Sequence, residues 1–130
     1  MKPRILLVED DEFIGVLVRT VLTSSGFEVV IVDRFEAVRA LEPFSFDAVV
    51  TDYQLPGANG CDVIEYARSV SPDIAALLVS GHGDSILDTV ASRGLTNVHT
   101  LNKPFNVDAL LAKIEGVLPF SRITKENCLL

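Results

Sequence analysis

The chain has 130 residues, enough for one domain with a core of its own. Hydrophobic residues make up 48%, and 18 acidic against 11 basic side chains leave a net charge of −7, which argues against nucleic acid as a direct partner because phosphate backbones attract basic surfaces. No apolar run reaches the length of a membrane span or a secretory segment. Cys61 and Cys128 form no CxxC or disulfide framework. A soluble protein of the reducing cytoplasm is expected.

Ile5-Leu6-Leu7-Val8 is a continuous apolar run ending in Glu9-Asp10-Asp11, as a parallel strand buried on both faces reads. Phe13, Ile14, Leu17, Val18, Val21 and Leu22 then recur at helical spacing, predicting one apolar stripe that Ser24-Ser25-Gly26 ends. Glu28–Val32 is rich in β-branched residues and reads as a second strand, and Phe35–Leu41 as a short helix closed by Glu42-Pro43. The run Asp47–Thr51 delivers Asp52, and the turn Gly57-Ala58-Asn59-Gly60 launches a helix through about Arg68. After Ser71-Pro72-Asp73, the strand Ala75–Val79 delivers Ser80-Gly81; Asp84 is expected to cap the next helix and Gly94 to end it. Val98–Asn102 delivers Lys103-Pro104-Phe105. Asn106 caps a last helix with Val107, Leu110, Leu111, Ile114 and Val117 inward, and Pro119 marks its stop. Five βα units result, an α/β domain over residues 1–118, with 119–130 a tail or the start of a linker.

Ligands in open α/β sheets sit beyond the carboxyl ends of the strands, so the residues just after the strands carry the chemistry. Glu9 and Asp10 beside Asp52 offer the oxygen-rich setting that Mg²⁺ prefers, whereas Asp11 and Glu12 suit a helix N-terminus. Asp52 is the candidate nucleophile, a carboxylate that can accept a phosphoryl group as an acyl phosphate. Such transfer depends on positioning and electrostatic stabilisation. Lys103, held extended by the following proline, provides a flexible point charge for a phosphoryl oxygen, and Ser80 a hydroxyl donor. The isomer of the Lys103-Pro104 bond is left open by the sequence. His82 and His99 do not form a zinc-like set.

These strand-end motifs, Ile5-Leu6-Leu7-Val8-Glu9-Asp10-Asp11, Asp52 with Leu55-Pro56-Gly57, Ser80-Gly81 and Lys103-Pro104-Phe105, resemble the receiver domain of two-component response regulators, the CheY-like superfamily, over roughly residues 4 to 118. The resemblance implies a flavodoxin-like, doubly wound parallel sheet of order 2-1-3-4-5. It implies phosphotransfer from a histidine kinase or a histidine phosphotransfer protein onto Asp52, with no catalysis beyond the domain's own Mg²⁺-dependent phosphorylation and dephosphorylation. Asp10 and Asp52 would bind Mg²⁺ directly, Glu9 through a water, and the Gln54 backbone carbonyl would complete the protein ligands. Ser80 and Lys103 would hold phosphoryl oxygens, while Gln54 and His82 occupy positions that tune the lifetime of the phosphoryl group. With no effector domain in the sequence after residue 118, the expected output is a contact with a downstream effector protein.

Two departures stand out. Where the family carries an inward-rotating aromatic, three residues before the lysine, this chain has Thr100, so the expected switch rests on Ser80, loop motion or another surface, and the Gly94–Lys103 segment is longer than the common pattern. The alternative is a degenerate receiver that binds proteins independently of phosphorylation. A phosphatase would need a second acid where Gln54 stands, and a flavodoxin would need a phosphate-cradling loop where Glu9-Asp10-Asp11 repels phosphate.

Overall fold

The computed structural model describes residues 2–81 and 83–118. His82, the Asp84 side chain and residues 119–130 lie outside the described residues, and with them the expected cap of the fourth helix, the Pro119 stop and the tail. The long strands are β1 (Arg4–Val8), β2 (Glu28–Val32), β3 (Ala48–Asp52), β6 (Ala75–Ser80) and β7 (Val98–Asn102). They pair in parallel in the order β2-β1-β3-β6-β7, which is 2-1-3-4-5 counted over these five. The helices are α1 (Glu12–Ser24), α2 (Phe35–Arg39), α3 (Gly60–Val70), α4 (Gly83–Ser92) and α5 (Val107–Val117).

Alternation along each strand divides the core into two layers. Leu6, Val8, Val49, Ala76 and Leu78 face α2, α3 and α4, packing with Val38, Ile64, Ala67 and Ile86. Ile5, Leu7, Val50, Leu77 and Val79 face α1 and α5, packing with Val18, Leu22, Leu110 and Ile114. Both faces are covered, so the strands need no polar alternation. Each fully buried Leu or Ile contributes about 1.5–3 kcal/mol. Among the described residues no helix is long and apolar enough to cross a membrane.

Local chemistry sets the ends of the helices. Asp11 caps α1 by accepting from the Ile14 N–H at 3.1 Å. The chain leaves α1 and α4 through Gly26 (φ 98°) and Gly94 (φ 69°). The Phe27 N–H returns to the Leu22 carbonyl and the Leu95 N–H to the Val90 carbonyl, the six-to-one bond of a Schellman close. Asn106 caps α5 from the Ala109 N–H at 2.7 Å.

Several expectations need correction. Only Val18 and Leu22 of the predicted α1 stripe are buried, while Phe13 is 78% exposed and Leu17 is also outward. The helix touches the sheet on one narrow face, and six apolar residues exceed what that face covers. Val107 is exposed for the same reason on α5. The α2 helix stops at Arg39, two residues early, ahead of a cis Glu42-Pro43 bond. A small antiparallel hairpin, β4 (Gln54–Leu55) with β5 (Ala58–Asn59), occupies what reads from sequence as a simple turn.

Gly60, the first residue of α3, lies hard against the sheet. A Cβ there would lie 2.7 Å from the Asp52 carbonyl oxygen and 2.4 Å from Leu78 Cδ1. Gly60→Ala should therefore cost about 1–3 kcal/mol by overpacking. Gly116→Ala, where an added Cβ meets nothing within 4 Å, should gain up to about 1 kcal/mol from helix propensity. Urea-unfolding midpoints of the two variants check the contrast.

Candidate functional site

The strand order reverses between β1 and β3, and at that switch point the crevice opens beyond the strand ends. Val8 pairs with Thr51, so Glu9 and Asp52 emerge side by side. Ladder bonds continue one residue past the strands: the N–H groups of Glu9, Tyr53 and Lys103 donate to the carbonyls of Val32 (3.0 Å), Val79 (2.8 Å) and Ser80 (2.8 Å). The backbone that carries Glu9, Asp52 and Lys103 is thereby an extension of the sheet, stiffer than an ordinary loop.

Three carboxylates meet there. One oxygen each from Glu9, Asp10 and Asp52 lie within 4.8 Å of one another. Glu9 is buried, Asp52 partly buried and Asp10 exposed. The Lys103 ammonium spans the gap, with Nζ 3.2 Å from Glu9 Oε1 and 3.2 Å from Asp52 Oδ2. The other oxygen of Glu9 accepts the Asp11 N–H at 3.2 Å.

Burial is the largest influence on Glu9 and pushes its carboxyl above the usual range; the Asp52 charge adds to it, while the Asp11 N–H and Lys103 pull the other way. Burial is also the largest single influence on Lys103 and works against its ammonium, but Asp52 and Glu9 together outweigh it and hold the group above its ordinary value. The ammonium contribution to stability is therefore complete at neutral pH and is lost only as pH rises through the folded-state value, beyond the ordinary lysine range. Glu9 has the same sense in a more acidic window: its contribution is complete below the unfolded-state value and is lost as pH rises through its raised folded-state value.

An all-oxygen donor set suits Mg²⁺, a hard cation that takes carboxylates and carbonyls in an octahedron. Ligands of one Mg²⁺ sit about 2.0–2.1 Å from it, so carboxylate oxygens this close need only small side-chain shifts to share an ion. Glu9, Asp10 and Asp52 thus fit a divalent cation.

Ser80 ends β6, buried and paired with Asn102, so Lys103 follows one residue past the end of the neighbouring β7. The Lys103-Pro104 bond is cis. Gln54 is exposed in β4, two residues beyond Asp52. Thr100 is half-buried on β7, opposite Leu78. The sequence pattern does not single out the residues that brace Asp52 from below: Thr51, fully buried with its hydroxyl donating to the Asp52 carbonyl at 3.0 Å, and Gly60 beneath that same carbonyl. A glycine at a helix start is the one available sign of such a close approach.

Residues 5–115 match the family model described as the response regulator receiver domain. The chain belongs to that family. It is 33% identical over 118 residues to the transcriptional regulatory protein FixJ of Bradyrhizobium diazoefficiens, covering 90% of this chain and 57% of FixJ. It is 33% identical to the transcriptional regulatory protein TcrA of Mycobacterium tuberculosis, covering 88% of this chain and 45% of TcrA. The chain thus spans about half the length of these relatives. Among solved structures, the non-phosphorylated HemR receiver domain of Leptospira biflexa is 31% identical, covers 89% of this chain and 94% of its own, and has a TM-score of 0.77. CheY4 of Vibrio cholerae, a chemotaxis response regulator, shares the fold at 24% identity over 91% of this chain and 100% of its own, with a TM-score of 0.80.

Removing the ammonium from this receiver domain would leave the buried Glu9 and the partly buried Asp52 without it. With a chelator present at neutral pH, Lys103→Met should lower unfolding stability by about 1–2 kcal/mol, less than for a fully buried pair because the lysine is partly exposed. Added Mg²⁺ should narrow the difference. Denaturant titrations with and without Mg²⁺ check both statements.

Proposed function

We propose that the domain is a phosphoacceptor receiver that takes a phosphoryl group from a histidine kinase or histidine phosphotransfer protein onto Asp52 and signals through a phosphorylation-dependent protein contact. The observation that carries this reading is the arrangement of Asp52: a partly buried carboxylate at a strand end, shared by one ammonium with Glu9 and next to the exposed Asp10. A carboxylate held only for stability would be better served by a simple ion pair than by two further acids.

In the reaction, an Asp52 oxygen attacks the phosphorus of the donor. The new O–P bond forms as the donor's N–P bond breaks, and the electron pair leaves on the imidazole nitrogen, which takes up a proton. Lys103 exchanges its contact with Asp52 for one to a phosphoryl oxygen, following the charge as it moves outward. Ser80 donates to a second phosphoryl oxygen. Glu9, Asp10, Asp52 and the Gln54 carbonyl would hold Mg²⁺, which when bound supplies positive charge that offsets the acids and the incoming phosphoryl group. The domain catalyses only its own phosphorylation and dephosphorylation. Phosphorylation adds about −1.5 to −2 of charge, so the loop at Ser80 is drawn toward the site and the adjoining surface changes. Placement in the cytoplasm, beside soluble kinase domains, accords with this role.

Intact mass after incubation with acetyl phosphate and Mg²⁺ tests the reading. The expected result is a single phosphoryl adduct on the parent chain and none on Asp52→Ala, with Ser80→Ala and Lys103→Met forming it more slowly. An adduct on Asp52→Ala, or none on the folded parent, would contradict it and favour a phosphorylation-independent binding module.

A further inference from the structure

Arg93, the first residue after α4, reaches across to the start of α3. Its guanidinium donates to Asn59 Oδ1 at 3.2 Å and Asp62 Oδ1 at 2.8 Å, and it also pairs with Glu65. Asn59 and Asp62 are themselves a reciprocal capping box: Asn59 Oδ1 accepts the N–H groups of Cys61 and Asp62, and Asp62 Oδ2 accepts the Asn59 N–H at 2.9 Å. Arg93 therefore binds the two side chains that start α3, with a rigid, planar set of donors that a lysine could not reproduce.

Those side chains are one step from the phosphoacceptor. Asn59 pairs with Gln54 in the β4–β5 hairpin, two residues beyond Asp52, and the Gly60 N–H donates to the Tyr53 carbonyl at 2.8 Å. Tyr53, bonded to Asp52 along the chain, puts its hydroxyl 3.5 Å from that of Thr89, on α4 one turn before Arg93. The Arg93 N–H in turn donates to the Thr89 carbonyl at 3.1 Å. Two cross-links thus join the segment leaving Asp52 to the C-terminal half of α4. The N-terminal end of α4, Gly83, is three residues along the chain from Ser80.

We propose that Arg93 is a positioning residue that ties α4 to the hairpin and helix cap following Asp52, so that a change at the phosphoacceptor is passed to α4 through residues 53–62. The proposal rests on Asp52 accepting a phosphoryl group for its signalling half; the tether itself does not. With its C-terminal half fixed to residues 53–62 and its N-terminal end carried by the Ser80 loop, α4 is gripped at both ends by segments that leave the site. A shift of either re-aims it as a rigid rod.

Amide hydrogen exchange, read by mass spectrometry on peptides covering 54–62 and 86–95, tests this in the parent, Arg93→Met and Arg93→Lys, each with and without acetyl phosphate and Mg²⁺. In the unmodified protein, Arg93→Met should exchange at least about tenfold faster at 86–95, with Arg93→Lys between it and the parent and strands β1 and β3 as slow as in the parent. Adduct formation at Asp52 should persist in the variants. The adduct-induced change at 86–95 should be clear in the parent and lost in Arg93→Met. Unchanged exchange at 86–95 in unmodified Arg93→Met would overturn the tether, and an adduct-induced change retained there, or absent in the parent, would overturn the route. Should Arg93→Met speed exchange throughout the sheet, Glu65→Met, which removes one acceptor and leaves the capping box, decides by the same criteria. A parent that forms no adduct contradicts the phosphoacceptor reading alone, since the tether is read from the unmodified pair.

Discussion

Three carboxylates share one corner of the sheet with a single ammonium, and the rest of the domain is arranged to keep them there. Glu9, Asp10 and Asp52 repel one another, and Lys103 relieves part of that repulsion by bonding to two of them. Left to themselves, side chains so charged would turn to solvent. Glu9, Asp52 and Lys103 stay because their backbones continue the β1, β3 and β7 ladders, and because Glu9 is buried beside β2, with its N–H bonded to the Val32 carbonyl. Stability from the two apolar layers offsets local electrostatic cost, and the cost leaves the corner receptive to positive charge and to a group that redistributes negative charge.

The same economy of position explains why the fold suits the chemistry. A sheet whose order reverses between β1 and β3 opens a crevice there, because the chain leaves β1 through α1 on one face and leaves β3 through α3 on the other. Glu9 and Asp10 come from one side of that crevice and Asp52 from the other, while β6 and β7 bring Ser80 and Lys103 alongside. No loop has to fold over a long distance to assemble the set. Gly60 then lets α3 begin hard against Asp52, so the helix cap that Arg93 grips lies within a few residues of that carboxylate.

Much of this was legible in the chain. Continuous apolar runs ending in Glu9-Asp10, Asp52, Ser80 and Lys103 mark both the strands and the end at which they converge, because burial on two faces and chemistry at one end leave separate imprints. Gly26, Gly94 and Asn106 mark helix ends through backbone freedom and capping. The rest lacked a local signal. Periodicity groups Phe13 and Leu17 with Val18 and Leu22, but how wide a stripe the sheet covers is a tertiary fact. Two-residue strands such as β4 and β5 are too short to have a period. The pairing of Arg93 with Asn59 and Asp62 joins positions about thirty residues apart, and only the Asn59-x-x-Asp62 spacing hints that an acid is anchored there.

The most direct test of the central claim is thermal unfolding across a Mg²⁺ titration, for the parent and for Asp10→Asn. If the acid cluster is a repulsive site that a cation completes, the parent midpoint rises steadily with Mg²⁺, by the equivalent of about 2.7 kcal/mol at a hundredfold excess over Kd. Asp10→Asn should then start at or above the parent in chelator and respond far less. A parent midpoint indifferent to Mg²⁺, or an Asp10→Asn variant that is less stable in chelator and equally responsive, would contradict the account.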